Sequence, residues 1–287
     1  MPETPAAYKK RYLPINFDSA TGRKHIFVMK YRSSFSGNEF RKAALKDLRH
    51  FIKKEGRFEG GANGATHEYE AGIITSPLLR PTNTSQIDLS ILKVMFQGVG
   101  RPSDFLNVLR AVDLYLQCVE MDDDQLKKMG WGHVIRDLQE YTNYYLGLDC
   151  RGFVGAYLRE NYPNVKDTAK DMSFLIDAYN GPPGNFHENT KGGSFTRIDD
   201  PREIRQGDLL LKCDNGDGKR HVAIVETAGT ATKMRVHVKT TESRGGIGLC
   251  HKYDDLRRTS TTWKDGANDR NWKHYGTLYN FVLRPKL

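Results

Sequence analysis

From Ile204 onward the chain is written in short alternating runs, whereas upstream of Pro163 its apolar residues recur at helical spacing. The runs DLLLKC, HVAIVETA, KMRVHVKTTE and YNFVLRP are rich in β-branched and aromatic residues and are separated by turn-forming stretches such as DNGDG and SRGG, a pattern that predicts an antiparallel sheet. Before Pro163, SGNEFRKAALKDLRHFIKKEG predicts an amphipathic helix from near Ser36 to Gly56. Further helices are expected in SQIDLSILKVMFQ, in SDFLNVLRAVDLYLQCVEM from Ser103, and in DDQLKKMGWGHVIRDLQEYTNYYL with a cap near Asp122 or Asp123. A short helix, CRGFVGAYLREN, starts at or beside Cys150 and has to stop before Pro163, where a loop-rich stretch containing NGPPGNFHENTKGG follows. Residues 1–35 read as extended, with a strand in HIFVMKYR. Helices that end in a cysteine-bearing helix and give way to meandering strands imply an α+β fold, with that helix packed on one sheet face. The expected division is a mostly helical region over residues 1–129, of unassigned role, and a second domain over 130–287.

A chain of 287 residues with 38% hydrophobic content can build one elaborate core or two modest ones, so a disordered or fibrous class is excluded. It contains no run of about 18 apolar residues, so stable membrane insertion is not expected. The opening MPETPAAYKKRYLPINFD lacks the charged-then-apolar order of a secretory signal, which points to synthesis in the cytoplasm. The four cysteines, Cys118, Cys150, Cys213 and Cys250, are too few and scattered for a disulfide framework and are expected as free thiols. A formal charge of +9 favours an anionic partner. Nucleic acid is not expected, because Lys and Arg are dispersed and no zinc-finger, RNA-recognition or basic-zipper pattern is present. The Gly-rich stretch FEGGANGATHEYEAG lacks the Lys-Ser/Thr ending of a phosphate loop and reads as a connector.

The chemistry-bearing residues sit where the two patterns meet. A cysteine attacks as thiolate, and the amino end of a helix stabilises that charge through its unpaired N–H groups and dipole; Cys150 has that position. Asp149 before it is a suitable cap, and Gly152 permits close approach over the first turn. His221 opens a strand, where the strand's rigidity can aim the imidazole as a base. Alternation along KMRVHVKTTE places Met234, Val236, Val238, Thr240 and Glu242 on one face and Arg235, His237, Lys239 and Thr241 on the other. Glu242 ends the apolar face and is the candidate to orient His221, while His237 is expected in solvent. A zinc site from Cys213, His221, Cys250 and His251 is disfavoured, since no Cys-x-x-Cys pair exists. No metal and no cofactor are expected.

Leu148-Asp149-Cys150-Arg151-Gly152-Phe153-Val154, then Gly207-Asp208-Leu209-Leu210, then His221-Val222-Ala223-Ile224 resemble, in that order, the nucleophile, Gly-Asp and histidine segments of the NlpC-type papain-like cysteine peptidases, a cell-wall hydrolase family related to the CHAP amidases. Glu242 falls where that family places its third polar residue, commonly a histidine. The resemblance covers roughly residues 130–287 and implies a papain-like domain that hydrolyses an amide bond in bacterial peptidoglycan peptides, with Cys150, His221 and Glu242 as catalytic residues. It implies substrate contacts from Asp149 and from Arg151, which replaces the family's usual serine, and from an upstream tyrosine, for which Tyr141, Tyr144 and Tyr145 all qualify and Tyr141 is preferred. His187 in the Gly-Pro loop is a further cleft candidate. A wall hydrolase without a secretion signal would be a delivered antibacterial effector or a phage lysin reaching the periplasm or cell wall by another route, with an immunity or delivery protein as possible partner. Rival readings are a papain-like toxin that deamidates, transamidates or cleaves a host protein, and an inactive module that binds the wall.

Overall fold

The computed structural model describes residues 2–19, 21–32, 39–55, 57–58, 74–75, 89–118, 135, 137–162, 165, 195–212, 220–245, 247–262 and 268–286. It is α+β, with antiparallel sheets. Two compact units are formed, one by Met1–Lys10 together with Cys150–Leu287 and one by Arg11–Asp149. The division expected at 129/130 therefore falls inside the second unit. The first helix of the chain, α1 (Pro5–Lys10), belongs with the C-terminal residues.

In the unit Arg11–Asp149, β1 (Ile15–Ser19) and β2 (Gly22–Ile26) form an antiparallel hairpin, followed by α2 (Glu39–Glu55) and a short pair, β3 (Arg57–Phe58) with β4 (Ile74–Thr75). Helices α3 (Leu89–Phe96), α4 (Pro102–Cys118) and α5 (Leu138–Tyr145) complete it. Each long helix buries one stripe, Ala44, Leu45, Leu48 and Ile52 on α2 and Phe105, Val108, Leu109, Val112 and Tyr115 on α4. Helix α4 starts with Pro102, whose missing N–H costs nothing at a first helical position. The strand expected in HIFVMKYR stops at Ile26, and Phe27 and Met29 beyond it are exposed. Much of the helix expected from Asp122 or Asp123 lies outside the described residues; its last part is α5, where the Asp137 carboxylate accepts the Glu140 N–H at 2.8 Å. The other end of α5 is capped by cations. Arg32 donates to the carbonyls of Asn143 and Tyr144, and Arg41 to that of Tyr145.

The unit containing Cys150 is built on one curled sheet. Helix α6 (Cys150–Asn161) lies against β7 (His221–Ala231) and β8 (Arg235–Arg244), and its residues from Gly152 to Leu158 are all buried. Tyr8 of α1 packs its ring 6.0 Å from that of Phe153 and 5.4 Å from that of Tyr157. The sheet order is β11-β10-β9-β8-β7-β6-β12-β5, where β5 is Phe195–Arg197, β6 Leu209–Lys212, β9 Gly248–Thr262, β10 Asn268–His274, β11 Thr277–Tyr279 and β12 Phe281–Pro285. Curling brings β11 back against β6, and Leu210, Ala223, Val225, Val236, Val238, Leu256, Trp272, Tyr279 and Val282 pack together in an apolar core.

The Gly207-Asp208 turn is a structural joint of this sheet. Gly207 has φ +88°, and a Cβ there would stand 2.5 Å from the Tyr162 hydroxyl, so glycine is required on both counts. Asp208 is fully buried and takes both Nε and Nη2 of Arg284 at 2.8 Å, while the Arg205 N–H donates to it at 2.9 Å. Burial pushes the Asp208 carboxyl above its ordinary range against the pull of Arg284. Removing the guanidinium would strand a buried carboxylate. Arg284→Ala is therefore expected to lower unfolding stability in urea by about 3 kcal/mol, with the midpoint shifted and the slope unchanged.

Candidate active site

Cys150 is the first residue of α6, a free thiol at 6% exposure. That position offers it the unpaired N–H groups of the first helical turn. His221 is the first residue of β7. The β7–β8 register pairs Ile224 with Thr241, so His221 and Glu242 lie an odd number of residues from that pair and share the opposite sheet face. His221 Nε2 is hydrogen-bonded to Glu242 Oε2, and the ring also shares a hydrogen bond with the Cys150 side chain. With Nε2 committed to the carboxylate, Nδ1 is the nitrogen left for the sulfur. The structure thus brings Cys150, His221 and Glu242 together.

Burial alone would push the imidazole down, but its hydrogen bonds to Cys150 and Glu242 and the negative charge there carry its pKa up to about 9. Glu242 is completely buried, yet His221, helped by Arg244 and His274, holds it below the usual carboxylate range against that burial. An imidazolium at neutral pH facing a thiol on one side and a carboxylate on the other is equipped to stabilise a thiolate and later to give up a proton.

Three neighbours of this trio lie outside the residues singled out from the sequence. The buried ring of Tyr279 on β11 lies 6.2 Å from that of His221, and burial keeps its phenol protonated. Arg244, two residues along β8 from Glu242, places Nη1 3.9 Å from Glu242 Oε1 and donates through Nη2 to Thr277 Oγ1 at 2.9 Å. Nothing in the spacing of HYGTLYN announces its contacts, which arise where the sheet curls, whereas Arg244 shares the Glu242 face of β8 by alternation.

The remaining expected site residues are distributed as follows. Arg151 is half-buried on α6. Asp149, buried at 6% exposure, belongs to the other unit, where its N–H donates to the Gly98 carbonyl at 2.8 Å. Tyr141 and Tyr145 lie on α5 in that same unit with 0% and 1% exposure and ring centroids 4.9 Å apart, whereas Tyr144 is exposed. His187 and Cys213 lie outside the described residues. His237 is half-buried and pairs with Asp255 through Nδ1 at 3.1 Å. His251 bonds Glu226 at 2.7 Å in a second polar cluster, where Lys239 also reaches Glu226 at 2.6 Å and the Thr241 hydroxyl donates to it at 2.8 Å. Each Glu226 oxygen there already has a partner, which makes the cluster a satisfied ion-pair network.

Among the described residues no group of three or more His, Cys, Asp or Glu side chains converges as a metal site, and no helix is long and apolar enough to cross a membrane. No protein-family model, curated protein or solved structure matches the chain.

Proposed function

We propose that this chain is a cysteine hydrolase of papain-like type that cleaves an amide bond in bacterial peptidoglycan peptides. The observation that carries the reading is the single connected path from the first residue of a buried helix, Cys150, through His221 to a buried carboxylate, Glu242. The resemblance of three segments, around Cys150, Gly207-Asp208 and His221, to NlpC-type peptidases supplies the substrate class, and the +9 charge suits an anionic wall.

In this reading Cys150 and His221 react as a thiolate–imidazolium pair, and the sulfur attacks the amide carbonyl, forming a C–S bond as the carbonyl oxygen becomes an oxyanion. The Cys150 backbone N–H at the helix start faces that developing charge. His221 then protonates the leaving amine as the C–N bond breaks. Water, losing a proton to His221, opens the thioester, and the sulfur leaves as thiolate beside the imidazolium. Glu242 holds the imidazole in the tautomer that keeps Nδ1 toward sulfur. Incubating purified sacculi of several wall chemistries with the protein and reading products by mass tests the proposal. A muropeptide split at one amide with release of a new amine is the expected result. Intact sacculi throughout would sink it, and a host protein modified at glutamine would favour the protein-modifying toxin instead.

A further inference from the structure

We propose that Arg244 and Thr277 form a positioning pair that keeps Glu242 ionised and so sets the acid limit at which the Cys150–His221 pair works. The inference rests on the reading of Cys150 as a reactive thiol, and extends it to residues outside the motif.

Glu242 is a carboxylate with no solvent contact, at 0% exposure. One oxygen, Oε2, is used by His221. The other, Oε1, has no hydrogen-bond partner among the described residues. Leaving a buried acceptor unsatisfied is costly unless charge compensates it. The Arg244 guanidinium provides that charge at 3.9 Å, a distance too long for a hydrogen bond but well within coulombic reach of a buried group. What holds the guanidinium there is Thr277, whose hydroxyl accepts Nη2 at 2.9 Å from a different strand. Arg244 itself is 31% exposed on its side chain, so it reaches inward from the rim while its charge remains partly solvated.

The charged and titratable groups around Glu242 come from each element packed there: His221 on β7, Arg244 on β8, Cys250 on β9, His274 on β10, Tyr279 on β11 and, through His221, Cys150 on α6. Tyr279 and Cys250 are uncharged in their ordinary range and burial reinforces this, and burial likewise favours the neutral form of His274. Among the described residues, the cations that face Glu242 near neutral pH are therefore His221 and Arg244, with His274 adding its charge only in acid. Unlike His221, Arg244 keeps its charge throughout the reaction. As His221 loses its proton to the leaving amine, Arg244 remains the cation that keeps Glu242 from taking one up.

The test is the pH dependence of Cys150 alkylation by iodoacetamide, followed at that residue by peptide mass, in the wild type and in the Arg244→Gln, Arg244→Lys and Thr277→Val variants. The lower limb of the profile reports protonation of the coupled Cys150–His221–Glu242 system as a whole. Arg244→Gln is expected to move that limb up by about one pH unit, the low end for a lost neighbouring arginine because this one is partly solvated, while rates near pH 8 stay within about twofold of wild type. Arg244→Lys, which retains the charge, restores most of the shift, and Thr277→Val moves the limb in the same direction by less. A merely structural role would lower rates at all pH values alike and give no rescue by lysine, and that outcome overturns the proposal, as does a lower limb that stays in place in Arg244→Gln. A wild-type Cys150 that does not alkylate overturns the reactive-thiol reading and the positioning role with it, which separates the two failures.

Discussion

Exchanging Cys150 for alanine is expected to reduce amide cleavage by roughly 10⁴-fold or more, with a change in unfolding stability of about 1 kcal/mol. The two effects separate because of where the sulfur sits. Cys150 is 6% exposed at the first residue of α6, and the helix is anchored by Phe153, Val154, Ala156, Tyr157 and Leu158, none of which the substitution touches. Alanine removes one sulfur atom and the hydrogen bond to His221 but keeps the helix start and its backbone N–H. Substrate binding and the oxyanion donor therefore survive, while the atom that forms the covalent bond is gone. Cys150→Ser retains an atom in that place, but a hydroxyl beside an imidazolium has no ready path to its anion, so it is expected to be nearly as inactive. Cleavage by Cys150→Ala at more than a few per cent of the wild-type rate would place the nucleophile elsewhere.

Much of the sheet and the central trio could be read from residues, and the reasons are local. Leu209–Lys212, His221–Ala231 and Phe281–Pro285 carry dense β-branched or aliphatic runs, so period and propensity agree. The alternation along β8 places Val236, Val238, Thr240 and Glu242 in the interior as expected, whereas Met234, assigned to the same face, lies before the strand and is 60% exposed. Strand β9, Gly248–Thr262, was not anticipated as an element of its own, because GLCHKYDDLRRTSTT is mostly polar and holds its place by pairing with β8 along Gly248–Arg257 and with β10 along Arg257–Thr262 rather than by an apolar face. The membership of α1 in the Cys150 unit could not be read either. It depends on Tyr8 meeting Phe153 and Tyr157, contacts more than 140 residues apart in sequence that no periodicity encodes. Tyr279 and Thr277 were missed for the same reason: periodicity assigns a residue to a face of its own strand, and these two meet the site only because β11 folds back toward β6. Arg244 shares the Glu242 face of β8 by simple alternation, but SRGG reads as a turn, so the alternation is not carried past Glu242.

Glu242→Gln is expected to lower cleavage by about 10²-fold at its optimum and to move the alkaline limb of the pH profile downward. The wild-type His221 is raised to about 9, burial being outweighed by its bonds to Cys150 and Glu242. Glutamine removes the carboxylate's charge from that balance, so the imidazolium loses its proton at lower pH, and the acid that must protonate the leaving amine is lost earlier. The amide can also turn its NH₂ toward Nε2, which favours the tautomer with a proton on Nδ1, the nitrogen that has to accept from sulfur. Stability follows the same linkage. A histidine whose folded pKa lies above its unfolded value of about 6.5 contributes stability that is complete below that value and is lost as pH rises through about 9. The wild type should therefore show a melting temperature that falls between about pH 6.5 and 9. In Glu242→Gln this decline should still begin near pH 6.5 but end at lower pH, leaving the curve flatter toward pH 9, even though the variant melts lower overall for having lost a buried charge-assisted hydrogen bond. Thermal melts of both proteins across that range, set beside their cleavage profiles, check the two consequences together. Parallel melting curves with an unmoved alkaline limb would mean that Glu242 does not govern the charge on His221.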